Sequence, residues 1–274
     1  MAPLRASATF LKADQDWRST ANVIAAYRQL VNHQGRPVVF AEQSELRPGV
    51  AYESFISCTG RVPTRDNLHD FFNALVWLTY PLAKAGLNAV QTREIARLSV
   101  AATHAPLQSW CKVPPVALAG AGVTARGVLR DRATVFDENA ALLITSEASV
   151  EAALREHDWQ QALVTQQADF GICCEVRLFG HALLEKLVSP YKAITAHVWL
   201  LRVDKAFFTL DEIEKCRQLD VLLSQMLKQG LLGVQPMVLP VLGVPGWWHS
   251  QDDAFYSDQA VFRPKRLAKA NHKL

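Results

Sequence analysis

The chain has 274 residues, half of them hydrophobic, which is enough to build a substantial core in one large domain or two small ones. Lysine and arginine outnumber aspartate and glutamate by 29 to 26, so the formal net charge of +3 is close to balance. Proteins that bind nucleic acids cluster positive charge on one face, so this composition argues against a nucleic-acid partner. The five cysteines form no C-x-x-C pair, which excludes a zinc ribbon and favours a reducing, intracellular compartment.

Hydrophobic patterning bears on the location of the protein. No apolar run approaches the ~20 residues that cross a bilayer, and residues 1–16 lack the apolar segment of a signal peptide. We therefore expect a soluble cytoplasmic protein without a membrane partner. We expect a flexible N-terminus over residues 1–15, a single domain over 16–265 and a basic tail over 266–274, and the oligomeric state stays open.

Helices and short strands follow one another irregularly along the chain. Helical periodicity predicts helices over residues 17–31, from Pro63-Thr64 to Leu78, beyond Pro81, over 149–157, over 181–188 and over 209–229. Thr64 is the expected N-cap of the second helix, and Thr209 with Glu212 the capping box of the last. Short strands are predicted over residues 37–40, 172–179 and 194–203, and a loop over 103–125. Residues 137–139 form an acidic junction, either a hairpin turn or a boundary between a strand and a helix.

This irregular order predicts the fold class. The chain contains no G-x-G-x-x-G and no Walker sequence, and its elements do not alternate as βαβ units. Both observations favour an α+β fold over a doubly wound dinucleotide-binding fold. We expect a single mixed domain of helices and short strands, closed by an irregular aromatic C-terminal strap.

The helix around residue 70 carries the most informative pattern. Its polar side chains Asp66, His69, Asp70 and Asn73 fall at i, i+3, i+4 and i+7, which places them on one stripe of a helix that is otherwise apolar. Such a stripe is either a thin solvated face or the wall of a cleft. The sequence does not choose between the two.

Four motifs, in this order, carry a family resemblance. They are PTRDNLHDFFNALVW at 63–77, FDEN at 136–139, FGHALLE at 179–185 with PYKAITAH at 190–197, and LPVLGVPGWW at 239–248 with FRP at 262–264. Together they resemble a proteobacterial family classed as domain of unknown function 3025. The resemblance runs from about residue 15 to residue 265. It implies one conserved domain and a bacterial source, but no activity and no catalytic residue.

Three separate elements supply side chains that bind divalent metals. They are the stripe of His69, the pair Asp137-Glu138, and a helix on which His181 and Glu185 share a face at i and i+4. If these elements converge, the metal ligands are His69, Asp137, Glu138, His181 and Glu185. Imidazole and carboxylate donors suit zinc, manganese or iron, and a bound ion would activate water for hydrolysis. The tighter H-E-x-x-H pattern of many metal helices is absent.

Two alternatives use the same residues without a metal. In the first, His69 or His197 acts as a base that is oriented by a neighbouring carboxylate. The catalytic set is then His69, Asp70, Asn73, Asp137, Glu138 and His197. In the second, the same groups form a surface or a buried hydrogen-bond network that only stabilises the fold.

Other side chains are candidates for contacting a small-molecule ligand. Trp248 can wall a pocket or pack over the core, and Arg130 and Lys192 can bind an anionic ligand or pair with nearby carboxylates. His69, Asn73, Lys84 and Asn88 faintly match a class of metal nucleases, but the second histidine or cysteine spacing is missing.

These observations lead to two hypotheses of function. The first is a hydrolase-type enzyme with a cleft of histidine and carboxylate side chains, dependent on a divalent metal. The second is a non-enzymatic binding or scaffold protein in which the same network is structural.

Overall fold

A computed structural model describes residues 16–103 and 127–265. The N-terminus expected to be flexible, the basic tail and all but the first residue of the loop expected over 103–125 lie outside the described residues.

The described part of the chain combines helices with two small sheets. The helices are α1 (Trp17–Tyr27), α2 (Tyr52–Thr59), α3 (Leu68–Thr79), α4 (Pro81–Thr103), α5 (Val128–Asn139), α6 (Ser149–Glu156), α7 (His181–Lys186), α8 (Glu212–Lys228) and α9 (Asp253–Tyr256). The strands are β1 (Val39–Glu42), β2 (Arg61–Thr64), β3 (Ala140–Thr145), β4 (Cys174–Leu178), β5 (Thr195–Arg202) and β6 (Met237–Pro240). The predicted α+β class is confirmed. Of the helices described, none combines the length and the apolar character that crossing a bilayer requires.

The chain divides into two compact units. The first takes in the described residues up to Ala140, with Leu178–Glu185 and Leu210–Gln235. The second takes in Ala141–Arg177, Lys186–Thr209 and the described residues from Pro236 onward. A single domain over residues 16–265 stays a prediction.

The first unit places α3 over a hydrophobic core. Strands β1 and β2 pair in parallel, with Val39 opposite Arg61 and Glu42 opposite Thr64. The core lies between these strands, α1 and α3. Its large members include Trp17, Phe40, Val62 and Trp77.

The start of α3 differs from the prediction. Thr64 is buried at the end of β2, where its hydroxyl donates to the Ala41 carbonyl at 2.8 Å, so it does not cap the helix. Asn67 is the N-cap, and its side chain accepts from the Asp70 amide at 2.8 Å. Asp66 therefore precedes the helix, where it accepts a hydrogen bond from Trp17. The polar stripe is reduced to His69, Asp70 and Asn73.

Pro81 separates α3 from α4, as the sequence predicts, because proline cannot donate the hydrogen bond that would continue the helix. Helix α4 packs against α2, α5 and α8. The Asp220 carboxylate on α8 accepts hydrogen bonds from the amides of Leu82 and Ala83, which anchors the first turn of α4.

The acidic junction is a boundary between a helix and a strand. Helix α5 ends at Asn139 and β3 begins at Ala140, so Asp137 and Glu138 occupy the last turn of α5. Gly180, directly before α7, lies against this turn. A Cβ on Gly180 would approach the Glu138 carbonyl oxygen and two backbone nitrogens to 2.5 Å. Only glycine lets these two backbone segments approach so closely.

The second unit contains a four-stranded sheet in the order β4-β3-β5-β6. Strands β5 and β6 are antiparallel, with Thr195 opposite Pro240. The strap that follows is irregular apart from a single turn at Val241–Gly243 and the short helix α9. The Tyr256 hydroxyl donates to the Gly243 carbonyl, and Phe262 is buried.

The capping box expected at Thr209 and Glu212 is wrong. Asp211 is the N-cap of α8, because its side chain reaches the Glu214 amide at 2.8 Å.

Candidate metal centre and its cavity

Three donor atoms from three different helices of the first unit converge. They are Nε2 of His69 at the start of α3, Oε2 of Glu138 at the end of α5 and Nε2 of His181 at the start of α7. All three lie within 4.8 Å of one another. The two histidine nitrogens are 3.0 Å apart, and Glu138 Oε2 lies 3.4 Å from His181 and 3.9 Å from His69.

The separations of 3.0 Å and 3.4 Å match those between donors on one metal ion, and the 3.9 Å between Glu138 and His69 is longer. Two nitrogens bound at about 2.1 Å, at octahedral or tetrahedral angles, lie about 3.0 to 3.4 Å apart. Two histidines and one carboxylate form a donor set that suits zinc and non-haem iron, with positions left open for water or substrate.

A carboxylate fixes the orientation of the His69 ring. Nδ1 of His69 lies 3.0 Å from Oε2 of Glu185, one turn along α7 from His181. Because an ionised carboxylate can only accept, Nδ1 carries the proton, and the lone pair of neutral His69 lies on Nε2. Glu185 therefore supports His69 from behind and is not one of the three convergent donors.

The environment sets the protonation of the two other donors. Burial lowers the pKa of His181 to about 4, so the imidazole is neutral at pH 7, as a metal ligand must be. Burial raises the pKa of Glu138, and the adjacent Asp137 carboxylate raises it further. The side chain of His181 is 4% exposed, whereas those of His69 and Glu138 are 28% and 38% exposed, so the cluster opens to solvent on one side.

Asp137 is not among the convergent donors and forms a different interaction. Its Oδ1 lies 2.5 Å from Lys84 Nζ and 3.8 Å from His181 Nδ1. Burial alone would raise the pKa of Asp137, but the positive charge of Lys84 and the His181 ring outweigh burial and lower it. Lys84 is itself buried and also donates to Asn73 Oδ1 at 2.8 Å. Nδ2 of Asn73 then donates to the Tyr52 hydroxyl at 3.1 Å.

Asp70 is buried on the same helix but binds Arg65. Its carboxylate accepts from the Arg65 backbone amide at 2.7 Å and from Nε at 2.9 Å. Burial, together with the Asp137 and Asp70 carboxylates, raises the pKa of Tyr52, so this hydroxyl stays protonated.

The cluster forms part of the lining of a cavity of about 380 Å³ in the first unit. The polar residues that line the cavity are Gln43, Tyr52, Glu53, Arg65, His69, Asp70, Asn73, Lys84, Asn88, Gln91, Thr134, Asp137, Glu138 and His181. This volume and lining suit a small polar molecule.

A family model described as "Protein of unknown function (DUF3025)" matches residues 38–266. The chain belongs to this family. Comparison with curated proteins found no match, and neither did comparison with solved structures.

Four residues expected at the site lie elsewhere. His197 is on β5 of the second unit, opposite Val238 of β6, and does not line the cavity. In the same unit the Trp248 ring contacts the tilted ring of His249, with centroids 4.6 Å apart, and Lys192 pairs with Asp258 at 2.8 Å. Arg130 belongs to the first unit, where its nearest carboxylate is that of Glu53 at 3.8 Å, and it does not line the cavity either.

The sequence did not single out Tyr52 or Gln91, and it suggested Lys84 and Asn88 only as part of a nuclease match. Lys84, Asn88 and Gln91 lie on α4 at i, i+4 and i+7 and line the cavity together. That spacing is a signal in the sequence, since it puts three polar side chains on one stripe of α4.

Proposed function

We propose that His69, Glu138 and His181 hold a divalent metal ion and that the protein is a metal-dependent hydrolase of the bacterial cytoplasm. The observation that carries this proposal is the convergence of two Nε2 atoms and one carboxylate oxygen within 4.8 Å. Zinc, manganese and iron are the ions that this donor set suits best.

The residues around the cluster support a hydrolytic role. A bound divalent ion would supply a hydroxide nucleophile at neutral pH by acidifying its water. Glu185 holds His69 in the tautomer that presents Nε2. His181 is neutral, and the cavity beside the three donors has room for a small polar substrate.

One distance favours a second candidate function. Nε2 atoms 3.0 Å apart can also share a proton in an N–H···N hydrogen bond, which needs no metal. The cluster would then continue the buried network of Asp137, Lys84 and Asn73 and would stabilise a non-enzymatic binding or scaffold protein.

Metal analysis of variants separates the two candidates. The protein, purified without chelator and then reloaded with zinc, manganese or iron, should hold close to one equivalent by inductively coupled plasma mass spectrometry. His69→Ala, Glu138→Ala and His181→Ala should each lose it. His33→Ala is the matched control: within the described residues the His33 ring bonds to Ser57, and His33 is not one of the three convergent donors, so this variant should keep the metal.

Two outcomes would contradict the metal centre. One is wild-type protein that takes up none of the three ions. The other is a metal content that survives all three substitutions in folded protein. Either result, combined with a lower melting temperature of the variants, would favour the scaffold.

A further inference from the structure

A chain of hydrogen bonds fixes the direction in which Tyr52 donates. The Lys84 ammonium has only protons to give, so Oδ1 of Asn73 must be the atom that accepts from it at 2.8 Å. The other end of the amide, Nδ2, donates to the Tyr52 oxygen at 3.1 Å. The hydroxyl proton of Tyr52 must therefore go to another acceptor. The hydrogen bonds of residues 16–103 and 127–265 provide none, and Tyr52 lines the cavity.

The amide of Asn88 is fixed in the opposite sense. Its Nδ2 lies 2.8 Å from the Glu53 carbonyl oxygen, which can only accept, so the orientation of the amide is settled. Oδ1 of Asn88 is buried and has no hydrogen-bond partner among the described residues. Asn88 is 3% exposed and lines the same cavity. Tyr52 and Asn88 therefore bring an unused donor and an unused acceptor to the lining of one cavity.

The charges of the cavity narrow the class of ligand. The lysine and arginine side chains among the lining residues are Lys84 and Arg65, and both are already paired with carboxylates, Asp137 and Asp70. A phosphate or carboxylate ligand would have to compete with these carboxylates. A neutral group that offers one acceptor and one donor matches the two unused atoms without breaking an ion pair.

Building on the proposed metal centre, we propose that the substrate is a neutral carboxamide. Its carbonyl oxygen accepts from the Tyr52 hydroxyl, and its N–H donates to Asn88 Oδ1. In the hydrolysis, the oxygen of a water molecule bonds to the carbonyl carbon. The C–N bond breaks with its electron pair going to nitrogen, and nitrogen takes up a proton from the water. The products are a carboxylic acid and an amine.

The test compares two hydroxamates on zinc-loaded protein by isothermal titration calorimetry. Acetohydroxamic acid and N-methylacetohydroxamic acid both carry a carbonyl and both chelate zinc, but only the first has an N–H. Wild type should prefer the first by about 5- to 10-fold, the factor that one hydrogen bond supplies. Asn88→Leu should abolish the preference, and Asn88→Asp, which keeps an acceptor oxygen, should retain it. Tyr52→Phe should weaken the binding of both compounds by a similar factor.

Asn22→Leu is the control, since among the described residues the Asn22 side chain bonds to the Phe40 backbone and Asn22 does not line the cavity. It should leave both affinities unchanged. Equal affinities in wild type, no binding of either compound to zinc-loaded protein, or a preference that survives Asn88→Leu would overturn the carboxamide proposal and leave the metal centre standing. A protein that takes up no zinc would instead fail in the preceding metal analysis, and both proposals would then fall.

Discussion

Replacing Lys84 by methionine should unbalance a buried ion pair. The Lys84 side chain is 4% exposed, its Nζ lies 2.5 Å from Asp137 Oδ1, and the ammonium sits 5.6 Å from the centre of the Trp77 ring. Methionine keeps the apolar stem and removes the charge. Removing one partner of a buried pair costs about 3–5 kcal/mol. Because the Asp137 side chain is 17% exposed, we expect the lower end, about 3 kcal/mol.

The cost of Lys84→Met should depend on pH with a defined sign. In wild type the pKa of Asp137 lies below its ordinary value of 3.8, so this carboxylate contributes stability above that pH and loses it as the pH falls through the folded-state pKa. Without Lys84 the effect of burial dominates and raises the pKa of Asp137. The variant should then lose stability as the pH rises from 4 to 7, so its deficit against wild type should be largest at neutral pH.

Urea denaturation in the presence of a chelator, at pH 4.5 and pH 7.5, measures both effects. Asp137→Asn and the double variant complete a double-mutant cycle. The coupling free energy should be about 2 kcal/mol or more, because the two side chains touch. A Lys84→Met variant within about 0.5 kcal/mol of wild type at pH 7.5, the range of a neutral surface change, would refute the reasoning. So would additive single substitutions.

Four further substitutions test the supports of the cluster and of helix α4. Glu185→Gln should weaken zinc affinity about 10- to 100-fold in a competition titration, because it releases the ring of His69; an unchanged affinity would remove Glu185 from the site. Gly180→Ala should lower the free energy of unfolding by about 1–3 kcal/mol and weaken zinc affinity, because the added Cβ would lie 2.5 Å from backbone atoms. Gly86→Ala, inside α4, adds a Cβ that meets nothing closer than 3.7 Å and should instead raise the free energy of unfolding by about 0.5–1 kcal/mol. Similar effects of Gly180→Ala and Gly86→Ala on stability would contradict the packing argument. Asp220→Ala should cost about 1–2 kcal/mol at pH 4.5, because two amides at the start of α4 lose their acceptor. Burial raises the pKa of Asp220 from 3.8 to about 6, so its contribution falls as the pH rises from about 3.8 to 6, and the cost of the substitution should shrink over that window.

The sequence could predict the three donors because each stands out locally. His69 is polar on an apolar helix, Glu138 belongs to an acidic pair between apolar runs, and His181 shares a helix face with Glu185. Periodicity also predicts the class of fold, since helix and strand patterns alternate without order. What periodicity cannot predict is which of several carboxylates reaches the imidazoles. Asp137 and Glu138 are adjacent, and only the turn of α5 sends one to the histidines and the other to Lys84.

The rest of the site depends on contacts between distant segments. Lys84 follows Pro81 by three residues and resembles an ordinary surface lysine in sequence. It is buried because α4 packs against α2, α5 and α8, so that Lys84 meets Asp137 fifty-three positions away. The predicted start of α3 is wrong for a similar reason: Thr64 is a good N-cap in isolation, but pairing with β1 draws it into a strand.

X-ray absorption spectroscopy of the zinc-loaded protein tests the central claim most directly. The account predicts nitrogen and oxygen neighbours at about 2.0–2.1 Å and the outer scattering of two imidazole rings, falling to one ring in His181→Ala. Sulfur neighbours at about 2.3 Å, or a spectrum that His181→Ala leaves unchanged, would contradict it.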